Sequence, residues 1–157
     1  MKRAEDLLLC VEAYHAALEA VNTLKQQQPP VTLSFDFFAT HNNLGLAYFQ
    51  LATDGKIKAT LASTDVQSLA PVLSQVLEKS LEYLESALNH HVIAWQGWTQ
   101  QAELRKSALS YILQAIKALY QQGELLDKIR PLSPPVRVVT RSDEKALGLD
   151  NGIDNLV

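Results

Sequence analysis

The stretch His-Asn-Asn-Leu-Gly-Leu-Ala-Tyr, residues 41–48, sets a glycine inside an amphipathic pattern whose large members are evenly stepped. His41, Leu44 and Tyr48 follow one another at three- and four-residue intervals, which stacks them on one face of an α-helix. Gly45 costs roughly 1 kcal/mol in a helix interior relative to alanine, so its presence there predicts a second backbone packed close against it. The stretch therefore predicts a helix built for close contact with another helix.

Working outward, the same periodicity recurs. Leu7, Val11, Tyr14, Leu18 and Val21 predict a long first helix, which runs out in Lys25-Gln26-Gln27-Gln28 before Pro29-Pro30. The second helix, over 35–52, carries Phe37, His41, Leu44, Tyr48 and Leu51 on one face, with Gly55 placed to close it. Residues 53–65 lack a sustained period and read as a surface loop. A third helix over 69–90, capped by Ser68 with Pro71 in its first turn, turns Leu73, Val76, Leu77, Leu81, Leu84 and Leu88 inward. Its Glu78, Lys79, Glu82 and Glu85 form a solvated face.

A fourth helix over 93–128 has two apolar rows, Trp98, Ala102, Leu109, Ile112 and Ile116 beside Leu104, Ala108, Ala115 and Leu119, and is expected to be sandwiched. Gly123 would bend or end it, and Pro131 and Pro134-Pro135 stop it. The expected fold is all-α, of antiparallel helix pairs over residues 1–130. Residues 131–157 read as a largely irregular tail, with strand-like Val136-Arg137-Val138-Val139 and a mildly basic start in Arg137, Arg141 and Lys145.

Composition excludes several function classes. At 157 residues, 47% hydrophobic and 20% charged, the chain supports one ordinary globular domain, and no apolar run reaches the roughly 18–20 residues that span a bilayer. Met1-Lys2-Arg3 leads into acidic residues rather than an apolar signal core, so a cytoplasmic setting is expected. A net charge of -3 lacks the basic stripe of a nucleic-acid binder. Cys10 has no second cysteine to pair with and is expected as a small core residue. Adjacent His90 and His91 point to different sides of a helix and cannot chelate in the usual one-turn manner; they are expected at the helix end, facing its negative pole. Trp95 and Trp98 are expected to pack between helices, and Phe35, Phe37 and Phe38 to staple the second helix onto the first. No nucleophile–base pair, phosphate-binding loop or buried carboxylate pair stands at a working spacing, so neither catalysis nor a metal or other cofactor is expected.

The row His41, Leu44, Gly45, Tyr48 resembles the first helix of the tetratricopeptide repeat family, which reads aromatic, Leu-Gly, Tyr at those intervals, with histidine here replacing the aromatic. The family's second helix sets a small residue, a large one four further on and alanine three beyond. Ser80, Leu84 and Ala87 fit it, as do Cys10, Tyr14 and Ala17, and Ala108, Ile112 and Ala115. The link from Tyr48 to Ser80 implies an insertion of about 20 residues into a repeat of roughly 34. The resemblance implies degenerate repeats in a right-handed array and a groove lined by first-type helices. Asn42, Asn43, Leu46, Phe49 and Gln50 would face that groove and bind a peptide or helix from a protein partner. In some co-chaperone members an asparagine at the place of Asn43, helped by basic residues, clamps a C-terminal carboxylate; Arg105 and Lys106 are the candidates for that help. The expected function is thus a non-catalytic interaction module. A repeat-bearing part of a larger enzyme such as a transferase, and a self-associating helical bundle, are the alternatives.

Overall fold

The computed structural model describes residues 2–27, 34–53 and 66–130. Over these the chain forms four helices, α1 (Lys2–Lys25), α2 (Phe37–Ala52), α3 (Val66–Gly97) and α4 (Ala102–Ile129), and no strand. Each packs antiparallel on its neighbour in sequence: Lys25 of α1 lies over Phe37 at the start of α2, Ser80 of α3 bonds Ala52 at the end of α2, and Leu73 and Leu77 near the start of α3 meet Leu126 and Ile129 at the end of α4. The all-α, antiparallel expectation holds. The tail, Gly55 and Pro29-Pro30 fall outside the described residues.

α2 begins where Asp36 can cap it. The Ala39 amide donates to the Asp36 carboxylate at 2.9 Å and the Thr40 hydroxyl to the Asp36 carbonyl at 3.0 Å, so two polar groups of the first turn are satisfied locally. At the other end Thr53 closes the helix, its amide and hydroxyl both donating to the Phe49 carbonyl. Val11 and Leu18 of α1 enter a cluster with Leu44, Ala47 and Leu51, to which Leu7, Tyr14, Phe37 and Tyr48 add their bulk. Phe37 staples α2 to α1 as expected. Phe38 does not: its ring turns the other way, onto Ala94, Trp98 and Ala108, while Phe35 stays at the surface. Cys10 is exposed on α1, one step off the buried row of Val11, Leu18 and Val21, and is no core residue.

α3 differs most from expectation. It starts at Val66, which puts Ser68 and Pro71 inside it, and it continues past His90 and His91 to Gly97. Ala70, Leu73, Leu77, Ser80, Leu84, Ala87, His91, Ala94 and Trp98 are all buried and follow alternating three- and four-residue steps. That is a seven-residue repeat, the pattern of one helix supplying a continuous seam to its neighbours. An unbroken seam has no reason to end at a histidine pair with neither glycine nor proline beside it. The chain turns instead at Trp98–Gln101, after Gly97, where the Phe38 ring lies so close that no β-carbon fits.

α4 lies along α3 and touches α2 over a short length, and no described element covers its other side. It is therefore not sandwiched: of its two rows, Ala108, Ile112 and Ala115 are buried, whereas Leu104 and Leu109 are exposed, as is Leu113. Trp98 stands outside α4 altogether, and the helix passes through Gly123 without ending, to stop at Ile129 just ahead of Pro131.

Gly45 and Gly123, each inside a helix, should respond oppositely to substitution. A β-carbon on Gly45 would stand 2.5 Å from the buried His91 ring, whereas one on Gly123 meets nothing within 4 Å. Urea unfolding should show Gly45→Ala destabilised by about 1–3 kcal/mol through overpacking, and Gly123→Ala stabilised by about 0.5–1 kcal/mol through helix propensity.

Candidate functional site

The outward side of α2 carries the residues singled out for partner binding. Asn42, Asn43, Leu46, Phe49 and Gln50 lie opposite the row of Leu44, Tyr48 and Leu51 that faces α1. Asn43 and Gln50 are exposed, and Asn42, Leu46 and Phe49 are half-buried. Asn42 is already engaged: its carboxamide oxygen accepts a hydrogen bond from Nδ1 of His91 at 2.8 Å. The His91 ring in turn stacks on Tyr111 of α4, with centroids 5.1 Å apart and planes inclined by 22°. Asn42, His91 and Tyr111 thus link α2, α3 and α4 at the margin of the strip, leaving Asn43, Leu46, Phe49 and Gln50 as its open part.

The motif residues serve the interior. Leu44, Leu84 and Ala87 are fully buried, and Gly45 is the floor on which the His91 ring rests. The Ser80 hydroxyl donates to the Ala52 carbonyl at 2.8 Å and meets the Gln122 side-chain amide of α4. Small residues on α2 and α3 thus give their space to a ring in one place and to a hydroxyl in another.

On the other flank of α2 the structure gathers His15 from α1, His41 and Tyr48 from α2, and Tyr83 and His90 from α3. The chain has four histidines, and with His91 beside this group all four meet where these three helices adjoin. His41 and His90 touch through their Nδ1 atoms at 2.8 Å with the rings stacked. His15 Nε2 pairs with the Tyr48 hydroxyl at 2.9 Å, and the Tyr48 ring lies parallel to His90, 5.7 Å away. Because the four positions are spread over the sequence, only the helix pairing could bring them together.

The electrostatics follow from burial. Desolvation pushes the His90 imidazole down to about 4, helped by the neighbouring His41, His15 and His91, and burial alone takes His91 to about 4 against the pull of a hydrogen bond to the Gly45 backbone. His41 is lowered too, by burial and by His15. All three are neutral at pH 7. The His41–His90 contact needs one Nδ1 to donate and the other to accept, so it survives a single added proton and not two. His90 and His91 do not sit at the negative pole of a helix; they are interior residues of α3 that hold their neighbours as uncharged rings. Among the described residues no group of three or more His, Cys, Asp or Glu is arranged to hold a metal ion.

Trp95 and Trp98 both pack between helices. Trp98 is buried against Ala94 and Ala108, and Trp95 carries the Arg105 guanidinium 4.4 Å above its ring. Arg105 and Lys106 border a shallow depression of about 440 Å³ at the α3–α4 turn, lined also by Trp95, Thr99, Gln100 and Leu109. Comparison with models of protein families, with curated proteins and with solved structures finds no match to this chain.

Stability should depend on acid in a defined window. Unfolding returns His90 and His91 to their ordinary midpoint near 6.5, so below it the unfolded chain binds more protons than the folded one. Stability is full above pH 6.5, declines as the pH falls, and levels off for these groups below about 4. The loss amounts to about 3 kcal/mol at most for His91 and less for the half-exposed His90, at about 1.4 kcal/mol per pH unit. Denaturant unfolding at intervals from pH 7.5 to 4 measures it, and His91→Asn should flatten the profile.

Proposed function

We propose that the protein is a non-catalytic interaction module that binds a peptide or helix of a protein partner along the outward side of α2, beside α4. The observation that carries this reading is the strip itself. Exposed Asn43 and Gln50 offer both donors and acceptors beside half-buried Leu46 and Phe49, the mix of anchor and amide that helix-in-groove and extended-peptide recognition uses. The resemblance of residues 41–48 and 80–87 to tetratricopeptide repeats supports it, since groove-facing residues of such repeats would fall on these positions. Arg105 is stacked on Trp95, its guanidinium held over that ring, which favours apolar and amide contacts over a carboxylate clamp.

The same reading includes a cytoplasmic setting, in keeping with a single cysteine left unpaired. Among the described residues, no helix is long and apolar enough to cross a membrane.

Asn43→Ala combined with Phe49→Ala tests the strip. Isothermal titration with a peptide selected on the wild-type chain should show affinity reduced about tenfold or more, at about 1.4 kcal/mol per factor of ten, with circular dichroism unchanged. Full affinity in the folded double variant would remove the strip from the binding surface.

A further inference from the structure

The outer faces of the first and last described helices carry stripes of matched spacing and unlike size. On α4, Leu109, Leu113, Ile116 and Tyr120 follow one another at steps of four, three and four, and Leu113 and Tyr120 are 57% and 53% exposed. On α1, Leu9, Ala13, Ala16 and Ala20 follow the same steps, all of them exposed, Leu9 to 62%. One stripe is made of large side chains and the other, beyond Leu9, is a row of alanines. Large residues from one helix seated over small ones of another are what allow two helices to close on each other.

Charge separates the two faces in the same way. Between residues 5 and 19 every charged side chain is acidic, Glu5, Asp6, Glu12 and Glu19, and all four are exposed. Between 105 and 117 every charged side chain is basic, Arg105, Lys106 and Lys117. None of them forms an ion pair among the described residues. Exposed apolar stripes of this kind mark contact surfaces, and opposite charge beside them selects the partner.

We propose that the α1 stripe of one copy docks on the α4 stripe of a second copy, so that the chain associates head to tail through two different faces. The assembly then keeps one free α1 stripe at one end and one free α4 stripe at the other, and growth does not stop at a dimer. The outward strip of α2 takes no part in this contact, so the proposal stands independently of the binding reading above.

Sedimentation velocity on the full chain, from low to high micromolar concentration, tests it with two variants at exposed positions, Ala16→Arg and Leu113→Glu. The wild type should grow in mass with concentration beyond a dimer and less so at raised salt. Each variant alone should be monomeric and retain the wild-type helical circular dichroism spectrum. Mixed in equal amounts they should form a one-to-one dimer, because the intact α4 face of one meets the intact α1 face of the other. A wild type that stays monomeric overturns the proposal. So does self-association of Ala16→Arg alone, which would mean an α4–α4 contact, and so does failure of the two variants to combine.

Discussion

A histidine ring lying on a glycine ties the helices together. His91 is 1% exposed, and its ring occupies the space that any side chain on Gly45 would need. Burying a neutral imidazole is tolerable only if its N–H is satisfied, and here the Asn42 carboxamide oxygen of α2 accepts it. The ring's other face meets Tyr111. A single side chain therefore sets how far α2 may slide along α3 and where α4 may lie, because a shift of one residue in either pairing would strand a polar nitrogen in an apolar seam. Leucine there could fill the volume but would specify no such register.

Much of this was legible in the residues, and what was missed was missed for identifiable reasons. The glycine in 41–48 announced a close contact, and the contact exists; that its partner is a histidine 46 positions away follows only from the pairing of α2 with α3. The seven-residue repeat from Ala70 to Trp98 was present in the sequence, but two of its places hold serine and histidine, so a reading by hydrophobicity breaks it at His90–His91. Once that break is set, Trp98 is assigned to the next helix and the apolar rows of α4 look like two buried faces. The exposed state of Leu113 and Tyr120 lies beyond periodicity altogether, since an amphipathic pattern shows that a face is apolar and not that a neighbour covers it. Cys10 fails in the opposite sense: flanked by Leu9 and Val11, it sits at an exposed angle on α1 that no described helix covers.

The candidate binding strip was legible as a face of α2, and four of its five members remain available in the fold. The fifth, Asn42, is committed to His91, a use that a groove assignment by spacing cannot foresee because the same position borders both the surface and the seam. The histidine–tyrosine group was not legible as a group. Its members lie on three helices, and each alone reads as an ordinary interfacial residue.

The manner in which α1 is held has a consequence for how the molecule opens. α2 and α3 each have a helix on either side, whereas α1 rests on α2 along one row and reaches α3 mainly through His15 and Tyr83. Its outer half is solvent-facing from Glu5 to Ala20. Removing α1 would uncover part of one cluster and leave the α3 seam and the α3–α4 contacts whole, so the lowest route out of the native state is for α1 to swing away as a unit. α1 is thus the least anchored of the four described helices, and hydrogen exchange of its backbone amides is the property of the fold most exposed to that difference.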